Sequence, residues 1–385
     1  MDIRFTPDQE NYRRQFRRWL DANLPRGSSH APPAFDEDKD VIFQKEWERL
    51  LYAGGYSGIA WPKEYGGQGL TLAEHYIVQE ELGRSAAPEG INSIGRELVG
   101  PIMLAVGSEE QKRHYVPRLL RLDDIWCQGF SEPNAGSDLA SLQTRADPDG
   151  GDWVISGQKV WTSYARHSNW CILLARTDRA ASKHKGITLF LMPMDVPGIT
   201  VRPLRQITGR SEFNELFLDE VRVPDTLRLG AVNDGWRVAN GVLGFERATT
   251  RLYRQARFMH ELRLLIALAE RRVPNRLKET DFRRRIASVY AELEIVRYHS
   301  LKVVSRVGNG GKIGPEASLQ KLAWSEAHQR LAALAVDLLG EEFISGDDAA
   351  PFRQIYLKSR AETIYAGTSE IQRNIIADRV LELSR

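Results

Sequence analysis

The chain has 385 residues, 42% of them hydrophobic and 27% charged, so it is too long for one ordinary core and sits in the globular range, with neither a disordered nor a membrane-like composition. Its 53 basic and 51 acidic residues leave a formal charge of +2, which excludes a general electrostatic grip on nucleic acid. Two cysteines, Cys127 and Cys171, are too few for a disulfide framework and lack metal-ligand spacing, so a reducing compartment is expected, with both thiols as core filling.

In chain order, Thr6-Pro7-Asp8-Gln9 reads as a capping box with proline in the first turn, and Tyr12, Phe16, Trp19 and Leu20 follow at helical spacing. A Ser/Pro/acidic loop is expected over 27–38, then helices over 39–54, 71–85 and 108–121. From about residue 125 the pattern changes to short runs of β-formers: WVIS (153–156), NWCILLAR (169–176), ITLFLMP (187–193) and ELFLDEVRVP (215–224). Helical periodicity returns from Asn233, with long Arg-rich helices expected over 245–272 and 281–306. Val289, Leu293, Val296 and Val303 line one face; Leu319, Leu322, Ala327, Leu331, Leu334 and Leu338 line another, and Gly340 is placed to cap that helix. The blocks 1–124, 125–234 and 235–385 are thus expected as a helical domain, a β domain and a helical bundle, an α+β multidomain fold. Apolar stripes on more than one side of the late helices favour an oligomer. The start of the chain has no apolar leader pattern and no apolar run of membrane-spanning length follows, so a cytoplasmic protein without membrane insertion is expected.

Nucleotide signatures fail: the glycine-rich stretch 308–314 has the wrong glycine offset for a dinucleotide turn, no Ser or Thr after Lys312, and no preceding strand, so it reads as a loop between helices. The eight histidines form no ligand pair, and no metal is expected. Two other stretches could carry chemistry. The turn from Gln128 to Leu139 concentrates glycines, hydroxyls and free backbone amides, suited either to a flat, anionic ligand or to an ordinary structured turn. Gln158 to Ser163 sets Trp161 beside Thr162 and Ser163, suited to stacking on an aromatic cofactor, although a lone tryptophan is more often core.

Together these stretches resemble the acyl-CoA dehydrogenase family, in register over nearly the whole chain: AWPKEYGG (60–67), the turn at 128–139, GQKVWTS (157–163), VRVP (221–224), NDGW (233–236) and IYAGTSEIQR (364–373). The resemblance implies a flavoenzyme with an N-terminal helical domain, a middle β domain and a C-terminal four-helix bundle, usually tetrameric, with FAD between the last two. It implies that Gln128, Phe130 and Ser131 border the isoalloxazine. Gly136 and Ser137 would reach the cofactor and the acyl-CoA thioester, Trp161, Thr162 and Ser163 would cover the ring, and Thr368 and Glu370 would contact the pyrophosphate and ribose. Many family members carry their catalytic glutamate at the position of Ala366, which cannot take a proton. The family's second base position falls on Glu246, followed by Arg247 in the substrate region; the bland alternative for Glu246 is a solvated helix residue paired with Arg247 or Arg251. Ala366 would keep its backbone amide for the thioester oxygen.

The sequence departs from the family at Arg271-Arg272-Val273-Pro274-Asn275, which lacks the usual Phe-Gly, and at Gly340-Glu341-Glu342-Phe343-Ile344-Ser345, which keeps one glycine of a glycine-rich loop. Some relatives with such changes work as unequal-subunit pairs that share FAD sites, so the resemblance leaves a partner chain open. The expected activity is α,β-dehydrogenation of an acyl-CoA to the trans-2-enoyl-CoA, with electrons passing to an electron-transferring flavoprotein. Competing readings are an oxidase or monooxygenase of the same fold and a subunit that completes a partner's site; the acyl group is not legible.

Overall fold

The structure is a computed structural model that describes residues 3–25, 37–248, 253–311 and 314–383. In chain order the helices are α1 (Pro7–Asn23), α2 (Glu37–Ala53) and α3 (Leu72–Arg84), then a π-helical turn (Gly95–Val99) running into α4 (Gly100–Val106), and α5 (Glu109–Arg121). Seven strands follow: β1 (Trp126–Gly129), β2 (Arg145–Asp149), β3 (Asp152–Ser163), β4 (Trp170–Arg176), β5 (Ile187–Pro193), β6 (Ile199–Leu204) and β7 (Phe213–Pro224). The chain then continues through α6 (Gly235–Ala248), α7 (Arg254–Arg272), α8 (Thr280–Gly308), α9 (Ala317–Leu339), α10 (Glu341–Ser345), α11 (Ala350–Glu362) and α12 (Ser369–Arg379).

Two compact units are built from this chain. One collects residues 1–35, 69–88 and 247–385; the other collects 36–68 and 89–246. In the first, α7, α8, α9 and α11 form a bundle around Leu265, Leu293, Ala327, Leu331 and Leu338, all fully buried. Most apolar positions read from the sequence meet there, but Leu319 and Leu322 are only half-buried, and Val303 is buried outside that cluster. Ser318, Gln320, Lys321 and Ser325 of α9 are buried instead. The capping box at Thr6 forms as expected, and α1 packs on α3 through Arg13, whose guanidinium reaches both Glu80 and Glu81 at 2.6 Å.

In the second unit the strand order is β1-β4-β2-β3-β7-β6, with β5 added on β4. Apolar side chains cover both faces of β4 and β5. Ile172, Leu174, Leu189 and Leu191 pack toward α4, α5 and α6, while Cys171, Leu173, Phe190 and Met192 pack with β3 and β7 on the other face. This two-sided burial explains the continuous apolar runs of those strands. Both cysteines are free and buried.

Three strands escape the sequence pattern. β1 has only four residues, β2 carries Pro148, and β6 is an exposed edge strand with Pro203, a place where a missing N–H is tolerated. The expected helix 245–272 is instead the end of α6 and the whole of α7, residues 249–252 lying outside the described residues. The expected loop 27–38 likewise falls mostly outside them, and Glu37 and Asp38 already belong to α2. Gly340 caps α9 as expected. The stretch after Gly308 leaves α8 as a turn, with Lys312 and Ile313 outside the described residues.

Candidate functional site

In the sheet-containing unit, β1 ends at Gly129, so Gln128 lies on the strand and Phe130 and Ser131 leave it. The turn beyond is closed by reciprocal backbone bonds between Glu132 and Ala135. Gly136 and Ser137 then stand exposed, and a Cβ built on Gly136 would meet nothing within 4 Å. Packing inside the chain therefore places no demand for glycine there, and its backbone is open. The next residue, Asp138, accepts from Lys183 Nζ at 2.6 Å and Ser141 Oγ at 2.5 Å, and these bonds hold its carboxyl below the usual range.

The second predicted stretch is brought against the first. Val160 N–H donates to the Ser131 carbonyl at 2.9 Å, and the Lys159 ammonium donates to the Phe130 carbonyl at 3.1 Å. Between Lys159 and Thr162 the register with β7 slips: three steps along β3 match two along β7, from Leu216 to Asn214. The extra residue is a bulge with Trp161 in the left-handed region at φ 60°, which turns the indole outward, 59% exposed. Thr162 is fully buried on the inner side, and its hydroxyl has no hydrogen-bond partner. A large exposed aromatic face and an open glycine fit a flat ligand with a ring system, whereas the Thr162 hydroxyl is closed off inside the unit. Ser163 ends β3, half-buried.

Sequence reasoning missed what supports this arrangement. Lys159 is fully buried and pairs with Glu132 at 2.8 Å; Glu132 also accepts the backbone amides of Gln143 (2.6 Å) and Thr144 (2.8 Å). Burial works against the charge of each, lowering the lysine pKa; for Glu132 the pull of Lys159 and the amides outweighs burial and holds the carboxyl low. The same unit holds a cavity of about 750 Å³ lined by His184, Lys185, Asn233, Trp236, Arg237 and Asn240, among others, with the His184 and Trp236 rings 4.9 Å apart.

The helical unit carries the other predicted residues. Thr368 caps α12, its hydroxyl accepting from Ile371 N–H at 3.2 Å. The preceding turn holds Ala366 at φ 57°, a second left-handed non-glycine residue among the predicted positions; such strain collects at functional sites. The Ala366 carbonyl accepts from Gln372 at 2.8 Å, while its N–H has no acceptor among the described residues. Thr368 and the exposed Glu370 border a cavity of about 510 Å³ with Arg330, Arg360 and Arg373, at the positive end of α12. At the family departures, Arg272 bonds Asp348 at 2.9 Å and residues 341–345 form α10. Glu246 and Arg247 fall within the last turn of α6, but their side chains, and all of Arg251, lie outside the described residues.

Comparison with known proteins matches three family domains in order: acyl-CoA dehydrogenase N-terminal domain over 6–123, middle domain over 127–221 and C-terminal domain over 233–381. The acyl-CoA dehydrogenase IpdE1 of Mycobacterium tuberculosis is 40% identical, with 98% of both chains covered. The human mitochondrial short-chain specific acyl-CoA dehydrogenase is 32% identical, covering 92% of this chain and 87% of its own. Among solved structures, the Tcur3481-Tcur3483 steroid ACAD superposes with a TM-score of 0.87 at 29% identity, and the ChsE4-ChsE5 complex from Mycobacterium tuberculosis with 0.85 at 28%, both covering 100% of both chains. The chain belongs to the acyl-CoA dehydrogenase family and is an oxidoreductase.

Proposed function

We propose that the protein is an FAD-dependent acyl-CoA dehydrogenase with Glu246 as general base, built as N-terminal, middle and C-terminal domains meeting near residues 124 and 234. The observation that carries the cofactor assignment is the bulge in β3, which leaves the Trp161 indole exposed with the half-buried Ser163 two residues on, at the end of the strand. Trp161, Thr162 and Ser163 would cover one side of the ring, Gln128, Phe130 and Ser131 would border it, and Gly136 and Ser137 would leave room for phosphates and thioester. Thr368 and Glu370, with the arginines beside them, would hold the pyrophosphate and ribose. When bound, FAD supplies the two-electron acceptor for the hydride leaving the β-carbon.

The chain's own task is the proton. Removing it from the carbon next to a thioester puts negative charge on the carbonyl oxygen, which needs a donor already in place; the unclaimed Ala366 amide is that donor. Glu246 takes the proton, since alanine at 366 cannot, and substrate binding that expels water raises its basicity. Arg247 assists in holding the substrate. The cavity beside His184 and Trp236 suits a flat adenine ring; Lys185 on its wall is offset by Asp178, and Arg237 is paired with Asp234. The small Ala366 and the likeness to a steroid ACAD favour a bulky, ring-bearing acyl group. Electrons pass on to an electron-transferring flavoprotein.

The test is anaerobic single-turnover bleaching of the flavin with straight-chain, branched and ring-bearing acyl-CoA thioesters. Wild-type protein reduces fastest with the ring-bearing class. Glu246→Gln keeps FAD and binds the thioester but loses roughly two to four orders of magnitude in reduction rate, and adding Ala366→Glu recovers part of it. Reduction of Glu246→Gln at the wild-type rate places the base elsewhere.

A further inference from the structure

Lys159 is a buried ammonium that the proton-abstraction step does not use, yet it touches the backbone of the proposed flavin site directly. Its Nζ donates to the Phe130 carbonyl at 3.1 Å and to Glu132 Oε1 at 2.8 Å. No peptide bond among the described residues is cis, so the Phe130 carbonyl and the Ser131 N–H, which share one planar peptide, point in opposite directions. With the carbonyl drawn toward Lys159, the Ser131 amide is turned away from the buried pair. It finds no acceptor among the described residues. The next carbonyl, of Ser131, is taken by Val160 N–H. Two adjacent β3 residues therefore grip two adjacent carbonyls of the β1 exit, immediately before β3 bulges out at Trp161. The same grip sets the direction of the Ser131 donor.

We propose that Lys159 is a positioning residue for the flavin: it aims the Ser131 amide at the cofactor and supplies a fixed positive charge behind that peptide, with Glu132 anchoring the ammonium. The proposal rests on the FAD assignment above. Glu132 ties the pair to Gln143 N–H and Thr144 N–H, so the ammonium cannot follow a moving loop. A charge held this way at fixed distance acts without reorganisation when the cofactor is reduced.

The experiment compares wild type, Lys159→Met, and Lys159→Met combined with Glu132→Gln, each stripped of cofactor and titrated with FAD by fluorescence quenching, with melting curves of the stripped proteins and midpoint potentials of the reloaded ones. Lys159→Met leaves the buried Glu132 uncompensated, so it melts lower, binds FAD roughly 10- to 100-fold more weakly and has a more negative potential. The double variant removes both charges. It regains much of the melting temperature yet keeps the weak FAD binding, because the Phe130 carbonyl still lacks its donor; it carries the test if the single variant fails to fold. A folded Lys159→Met protein with FAD affinity within about twofold of wild type overturns the proposal, as does a double variant that regains melting temperature and affinity together. Wild type that takes no FAD defeats the cofactor assignment, and this proposal with it.

Discussion

Removing His328 should destabilise the helical unit and erase a pH dependence that the unit otherwise shows. His328 of α9 is 3% exposed, lies flat on Phe258 with ring centroids 3.7 Å apart, and bonds Glu362 of α11 at 2.5 Å and Glu261 of α7 at 2.9 Å. Arg254, at the start of α7, reaches the other oxygen of Glu362 at 3.5 Å, and the charge of Lys358 on α11 also acts on that carboxyl. Burial alone would push the imidazole toward neutrality, but the two carboxylates outweigh it and raise its pKa to about 9. Moving an imidazole from about 6.5 to about 9 corresponds to about 3 kcal/mol of preference for the charged form in the folded state. Because the folded value is the higher one, this stability is fully present below about pH 6.5 and disappears as pH rises through about 9.

His328→Leu strands the buried Glu261 and leaves Glu362 with Arg254 and without its closest partner, and should cost about 3–5 kcal/mol at pH 7. Glu261→Leu with His328→Leu removes one charge of each sign and leaves the Arg254–Glu362 pair intact, so it should recover at least half of that loss. Thermal melts of the three proteins between pH 6 and 10 decide the matter. Wild type should lose several degrees more than the double variant between pH 7 and 10. A single variant melting within a degree of wild type at pH 7, or an alkaline loss equal in wild type and double variant, refutes a charged His328.

Trp161→Ala should weaken FAD binding by roughly tenfold while leaving the melting temperature of the cofactor-free protein unchanged, because the indole is already exposed; titration and melting measured together check both halves. Thr162→Val should leave the cofactor-free protein as stable or more so in thermal melts, since a buried hydroxyl without a partner is a cost. Light scattering should give an assembly of about four subunits, formed by this chain alone or with an unequal partner chain. The exposed Tyr290, Ile295 and Tyr298 on α8 are apolar surface available for it, and a fully flavinated, active monomer would rule it out.

Where burial follows a simple period, the sequence is readable. The bundle faces of α8 and α9, the two-sided apolar runs of β4 and β5, and the capping box of α1 each follow from residue spacing. The site is harder because its features arise where a period breaks. In β3, Trp153 and Ile155 are buried at alternate positions, and that parity puts Lys159 inside; the bulge then resets it, so Val160 and Thr162 are buried and Trp161 is not. Strict alternation carried through residue 163 turns Trp161 into the core and Thr162 to solvent, hiding the indole on which the cofactor assignment depends. The one warning in the sequence is Lys159 itself, a lysine at an inward position, which demands an anion nearby. That anion is Glu132, 27 residues earlier in the other candidate stretch. The partner that this misplaced charge requires therefore joins the two stretches by chemistry that residue order alone can suggest. His328 carries no such warning. Glu261 lies 67 residues before it and Glu362 lies 34 after, and only the packing of α7, α9 and α11 turns three unremarkable polar residues into one buried charge cluster.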